Sequence, residues 1–382
     1  MKKGILFFAA LLMAGWMTSC HKEDPVETAK KEQVAILEQY VSHTIAPTYS
    51  NLAAYSEQLV NDLQALRADR TQANVNHACE TFLNARAWWE KSEAFLFGAA
   101  SDFGIDPHID SWPLDVDAFN TMMANTAQIQ AMDAEDGDEY AGDKLGNSLL
   151  GFHGIEYILF SNGSPKSADE ISDLQMIYAV AVAGDLRNRC FQLEVSWLGN
   201  KASKAHRDKV EDLELNSTVN GGDYSYGTNL MKAGTLGSTY PSSVSGLMAI
   251  IDGCRTIADE VGTSKIGKPY NGEDPNYIES PYSHKSIEDF YNNILSIENA
   301  YMGGVDGERN EEISLHGYLK ERNGELDVRV LSAITTAKLS IQAMPAPFVQ
   351  NYNNSANANA IEACQHLDEV LSEVNTWLEN EN

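Results

Sequence analysis

Apolar residues recur at helical spacing along most of the chain. Val34, Ile36, Leu37, Val41 and Ile45 open the pattern, and Tyr49, Leu52, Tyr55, Leu59, Leu63 and Leu66 continue it. A period near 3.6 predicts amphipathic helix over 27–69. Pro47 interrupts it, because proline removes a backbone donor and one i−4 bond, so a kink or break belongs there. The same period predicts helices over 73–98, 117–132, 143–162, 168–197, 243–261, 286–301, 315–322, 326–343 and 357–378. The stretches 102–115, 133–143, 199–242 and 262–286 read as loop from their Gly, Pro, Ser, Asn and acidic content. No run alternates with a period of two, and no hairpin turn joins alternating segments. The pattern predicts an all-α fold of two antiparallel helical bundles packed together.

A chain of 382 residues exceeds one compact core and suits two domains. The organisation expected is a leader over 1–19, a tether over 20–30, an N-terminal bundle over 31–199, a long loop or insert over 200–242 and a C-terminal bundle over 243–382. A loop of that length inside a compact domain points to a functional loop or a mobile insert.

One stretch breaks the amphipathic rule. Gly151-Phe152-His153-Gly154-Ile155-Glu156-Tyr157-Ile158-Leu159-Phe160 is apolar all round except for one His and one Glu, which is the mark of a buried helix. His153 and Glu156 are three apart, so they lie on adjacent turns of one face. His153 projects onto a stripe with Leu149, Tyr157 and Phe160, and Ile155, Ile158 and Leu159 face the other way. A buried ionisable pair must be hydrogen-bonded, ion-paired or metal-bound. Imidazole and carboxylate one turn apart are ligands for iron, zinc or copper, although two ligands do not complete a site. Glu156 could equally orient or charge His153 without a metal. The plainest alternative is a satisfied core pair.

The start of the chain changes the setting. Lys2-Lys3 is followed by an apolar run over 5–13, too short for a permanent span, and Met17-Thr18-Ser19-Cys20 resembles a lipobox. Cys20 is then the lipidated first mature residue, and the membrane is a partner through that anchor. An exported, envelope-anchored protein follows, outer-membrane in expectation. His21-Lys22-Glu23-Asp24 reads as a surface-exposure signal or as a plain tether. Cys79, Cys190, Cys254 and Cys364 remain. They form two disulfides or four buried thiols, and their spacing does not choose. The formal charge of −28 excludes nucleic acid, since no basic stripe can neutralise phosphates. It also opposes binding to anionic lipid by charge and is compatible with cations, basic protein partners or solubility alone.

Further motifs surround the central stretch. Arg86-Ala87-Trp88-Trp89-Glu90-Lys91-Ser92-Glu93-Ala94-Phe95-Leu96-Phe97-Gly98, Asp110-Ser111-Trp112-Pro113-Leu114-Asp115, Glu279-Ser280-Pro281-Tyr282-Ser283 and Tyr301-Met302-Gly303-Gly304 stand at wide intervals. With Gly151-x-His153-x-x-Glu156 they resemble the imelysin family from about Lys31 to the end. The resemblance implies two helical bundles with a site between them, and an iron-linked lipoprotein of the cell envelope. It also carries a metallopeptidase label. A helical zinc peptidase presents two His one turn apart with Glu as the base, but Tyr157 follows Glu156, and His-Glu-x-x-His is absent from the chain.

Candidate partners for His153 and Glu156 are Glu90 and Glu93 on the preceding long helix, Asp110 and Trp112 in a Pro-containing loop, and Glu279 and Ser283 before the 286 helix. Glu90 could instead pair with Arg86 or Lys91, and Trp112 could be a packing anchor. His284 is a weaker candidate. Ser283 and Ser286 also read as helix caps, with Ser286-x-x-Asp289 as a capping box. The expected function is binding of a metal ion or metal-linked small ligand in iron uptake or homeostasis. The alternatives are an imelysin-type metallopeptidase, or a surface interaction module whose His–Glu pair is structural.

Overall fold

The computed structural model describes residues 25–380. The leader and Cys20 lie outside the described residues. Nine longer helices carry the architecture: α1 (Pro25–Tyr40), α2 (Ala46–Ala68), α3 (Gln72–Glu90), α4 (Gly151–Leu159), α5 (Asp173–Leu198), α6 (Ser243–Asp259), α7 (Ser286–Tyr301), α8 (Gly324–Gln342) and α9 (Asn357–Asn380). The expected all-α class holds, with one two-residue pairing of Phe160–Ser161 and Ser164–Pro165 as the strand content of the described residues. Local chemistry sets the helix ends. Thr71 accepts from Asn74 N at the start of α3, and Ser172 with Gln175 forms a capping box at α5, each satisfying donors left open in a first turn.

α2, α3, α4 and α5 pack on one another, and α6, α7, α8 and α9 form a second group. α1 lies against α6, and α3 meets α7 across the junction. One apolar core runs through both groups, from Leu52 and Phe82 to Ile294 and Leu371.

Several boundaries differ from the periodic reading. The break expected at Pro47 comes just before it, as a π-helical turn at Val41–Ile45, and Pro47 sits in the first turn of α2. There its missing donor costs nothing. α3 stops at Glu90, where Ser92 Oγ bonds the Trp89 carbonyl at 2.6 Å, a local bond that competes with helix. Glu93 therefore sits on a separate 3₁₀ turn, Glu93–Phe95. The central helix also starts later than the expected 143. α4 begins at Gly151, with φ at +68°, and a Cβ there would stand 2.0 Å from the Ile109 carbonyl oxygen. Only glycine permits that conformation and that approach. Leu149 thus belongs to a separate 3₁₀ turn, outside the helix onto which its stripe was projected.

The 199–242 stretch is more structured than its composition suggests. It holds helices Lys204–Asp212 and Tyr226–Met231, capped by Ser203 and Ser225. Cys79, Cys190, Cys254 and Cys364 are buried free thiols. Burial pushes Cys79, Cys190 and Cys364 up to about 12, which makes them unreactive. Among the described residues no helix is long and apolar enough to cross a membrane.

Candidate functional site

The junction of the two helix groups holds a sealed ionic cluster. α3 supplies Arg86, Trp89 and Glu90, which share one face through i,i+3 and i,i+4 spacing. Glu93 follows on its 3₁₀ turn, and Asp110 ends the short helix Ile105–Ile109. α4 contributes His153 and Glu156. The second helix group adds Lys265 from a π-helical turn, Glu279 from a loop, and Asp289 and Asn293 from α7. All of these side chains are buried, with Arg86 and Lys265 each 1% exposed.

Arg86 is the hub. Its guanidinium bonds Asp110 Oδ1 and reaches Glu279 Oε1 and Glu90 Oε1, both at 2.5 Å. Trp89 Nε1 donates to the other Asp110 oxygen at 2.6 Å, and His153 Nε2 stands 3.0 Å from Asp110 Oδ1. The second His153 nitrogen, Nδ1, lies 3.6 Å from Glu156 Oε2. Lys265 Nζ is 3.3 Å from Glu279 Oε1, 3.7 Å from Glu93 Oε1 and 3.8 Å from Glu90 Oε2. Asn293 Nδ2 donates to Glu90 Oε2 at 2.5 Å. Trp112 lies 5.9 Å from the His153 ring and 5.2 Å from Tyr277, with Lys265 Nζ on its face.

Glu156 has a different role from the one its spacing suggested. Its Oε1 accepts from Tyr282 N at 3.1 Å, and from Ser283 N and Ser283 Oγ at 2.7 Å each. It pins the 279–284 turn, whose Ser280 and His284 have φ of +50° and +60°. The cap expected from Ser283 is thus replaced by a tie across the junction. The Ser286-x-x-Asp289 capping box is absent too. Ser286 Oγ donates to the Glu279 carbonyl, and Asp289 accepts from Ser280 Oγ at 2.5 Å. These serines are buried against acceptors from another turn, which outcompete the local cap. His284 is half-buried and sits beside Gly163 rather than in the cluster.

Six buried carboxylates, Glu90, Glu93, Asp110, Glu156, Glu279 and Asp289, surround two basic side chains and one imidazole. Burial pushes Glu90 and Glu93 well above the usual range despite Arg86 and Lys265, and Asp289 up to about 7. Asp110 goes the other way. Burial opposes its charge, but Arg86 and the His153 hydrogen bond hold it well below the usual carboxylate range. Burial likewise opposes charge on His153, yet its bond to Asp110 and the nearby Glu156 carboxylate raise it to about 9. His153 is therefore an imidazolium at neutral pH, the form that suits an ion pair rather than a metal ligand.

Two sets of side chains have metal-site spacing. Asp110, His153 and Glu279 each offer one ligand atom, all within 4.8 Å of one another, and so do Glu90, Glu93 and Asp110. Buried Glu156 Oε2 and Glu279 Oε2 have no hydrogen-bond partner, which marks spare acceptor capacity. These donor types fit a first-row metal. Arg86, Lys265 and the His153 proton now occupy the neighbouring oxygens, so metal uptake would release a proton and compete with two fixed cations.

Sequence reasoning named Glu90, Glu93, Asp110, Trp112, His153, Glu156, Glu279 and Ser283, and the fold brings all of them to this junction. It missed Lys265, Asp289, Asn293 and Tyr277, and it treated Arg86 only as a pairing option for Glu90. Arg86 and Glu90 at i,i+4 beside Trp89 were the available signal. Lys265 had none.

The fold and cluster define an all-helical protein with an internal acidic–histidine centre. The chain belongs to the imelysin family, whose profile matches residues 45–374. It is similar to iron-regulated protein A of Synechococcus elongatus, 26% identical over 340 residues, which cover 88% of this chain and 83% of that one. A solved protein from Parabacteroides distasonis, assigned as an iron-regulated protein A precursor, superposes with a TM-score of 0.73 at 28% identity, covering 91% of this chain and 95% of that one. An imelysin-like protein from Psychrobacter arcticum shares the fold, with a TM-score of 0.58 at 13% identity over 91% and 93% of the two chains.

Proposed function

We propose that this chain is an envelope lipoprotein of iron uptake or homeostasis that takes up a metal cation at the Asp110–His153–Glu279 cluster. The observation that carries this reading is the charge imbalance. Even with His153 protonated, the buried carboxylates outnumber the cations by three. An interior tolerates such an excess only by binding protons or a cation. The spare oxygens of Glu156 and Glu279 favour the cation, and the iron-regulated relatives supply the context. The anchor at Cys20 holds the protein to the membrane in this reading.

The test is metal analysis of protein purified without chelator, with His153→Ala beside wild type. Wild type should carry iron, zinc or copper, or gain thermal stability when one is added, and the variant should lose most of that response. Equal and negligible metal in both proteins, with no thermal shift, would sink the reading. Protease activity abolished by Glu156→Gln would replace it with the peptidase. Cys20→Ala should move the protein from the membrane fraction to the soluble fraction.

A further inference from the structure

A sealed cluster needs an entrance, and two neighbouring cavities outline one. The inner cavity, about 230 Å³, touches Asp110 and is walled by Glu93, Asp106, Glu260, Trp112 and Tyr277. The outer cleft, about 770 Å³, opens beside it and shares Glu93, Leu96, Asp106 and Pro107. Asn220, Tyr226 and Tyr240 of the 199–242 stretch form part of its wall, and Asp102 and Asp252 sit further out.

Two features separate this path from the rest of an acidic surface. Among the described residues, no Lys, Arg or His lines either cavity. The comparable acidic groove over 133–139 is partly neutralised by Arg67, Arg187 and Lys209 in its own wall. The second feature is unused acceptor capacity. Asp102 and Asp252 are engaged, by Tyr226 Oη at 2.7 Å and Asn375 Nδ2 at 2.6 Å. Glu93 is 6% exposed and lines both cavities, yet its carboxylate accepts no hydrogen bond from the described residues, and its cation contact is Lys265 at 3.7 Å. Unlike Glu156 Oε2 and Glu279 Oε2, its oxygens are not sealed from solvent, so they open to the cavities they line. Asp106 and Glu260 also lack side-chain hydrogen bonds. Glu93, Asp106 and Glu260 do not converge within the 4.8 Å that ligand atoms reach deeper in, so a cation among them keeps its water shell.

We propose that the two cavities form an antechamber that draws a hydrated divalent cation past Glu93 and Asp106 to Asp110. Glu93, Asp106 and Glu260 outnumber the one ammonium in contact with them, Lys265 at Glu93, and such an excess in a low-dielectric passage focuses the field and raises the local cation concentration. Bound water then gives way to protein oxygens at the inner cluster. This inference rests on the metal-binding reading above.

The test is stopped-flow loading of Zn²⁺ into chelator-stripped protein, comparing wild type with Asp106→Asn/Glu260→Gln. Neither group is hydrogen-bonded, and a thermal melt checks the fold, with Glu260→Gln alone as the milder variant. Loading should slow by about three- to tenfold at low salt, with unchanged stoichiometry and a flatter salt dependence. Asp136→Asn/Glu139→Gln, in the partly neutralised groove away from this path, removes the same charge and should leave the rate unchanged. Wild-type loading rates in the antechamber variant, or equal slowing in the control, would overturn the passage alone. No uptake of Zn²⁺, Fe²⁺ or Cu²⁺ by wild type would overturn both readings.

Discussion

His153 and Asp110 are 43 residues apart in sequence, and their side chains meet at 3.0 Å in the core. The same Asp110 oxygen receives Arg86, so one carboxylate links α3, the end of the 105–109 helix and α4. Breaking a buried, hydrogen-bonded ion pair costs about 3–5 kcal/mol. Asp110→Asn should therefore lower stability by that order in chemical denaturation. A double-mutant cycle with His153→Ala should be clearly non-additive, because both changes break one contact. Additive losses would mean that the contact does not couple the two residues.

The cluster should also make the metal-stripped protein less stable as pH rises. His153 is raised from its ordinary 6.5 to about 9, so folding favours its charged form. That contribution is complete below about 6.5 and is lost as pH climbs through about 9. Asp289 is raised from 3.8 to about 7 by burial, so the folded state keeps a proton that the unfolded state gives up first. Its effect has the same sign, a loss of stability between those values. Melting temperature should fall from pH 5 to 9.5 in chelator, and His153→Ala should flatten the upper part of the curve. A rise across that window would contradict the assignment.

Glu156 ties α4 to the 279–284 turn through three bonds on one oxygen. An amide oxygen can accept the same bonds. Glu156→Gln should keep the turn in place, whereas Glu156→Ala leaves buried donors unsatisfied, at about 1–3 kcal/mol. Hydrogen exchange over 281–284 should quicken in the alanine variant and stay near wild type in the glutamine variant. Equal protection in both would remove Glu156 as the tie.

Gly151 is the position where the motif depends most directly on backbone. Alanine there is forced into a left-handed conformation and onto the Ile109 carbonyl, immediately before Asp110. Gly151→Ala should cost on the order of 3 kcal/mol and weaken the Asp110–His153 contact. Gly146→Ala, with open space around the added carbon, is the matched control and should change stability little. Similar melts for the two variants would refute the steric argument.

The helical class and the central apolar stretch were legible because burial leaves a period in the sequence. His153 and Glu156 were legible for another reason, since an ionisable residue inside an apolar pattern stands out, whereas Glu90, Glu93, Asp110 and Glu279 were reached through the motifs that resemble the imelysin family. Lys265 left no such trace. It lies in a stretch that reads as irregular, and its burial comes from packing against Glu90, Glu93 and Glu279, which periodicity does not encode. Ser283 and Ser286 misled for a related reason. A serine before a helix is a cap only while its hydroxyl has no better acceptor, and here Glu156 and the Glu279 carbonyl are better placed.

The sequence by itself determined that this chain is all-helical and that His153 and Glu156 share one buried face. Those features follow from local period and composition. Only the tertiary structure decided which charges meet. It set Arg86 at the centre, paired His153 with Asp110 rather than chiefly with Glu156, and turned Glu156 toward the backbone of the other helix group. Interactions between buried charges depend on separations of a few ångströms between segments far apart in the chain. No spacing along the sequence carries that information.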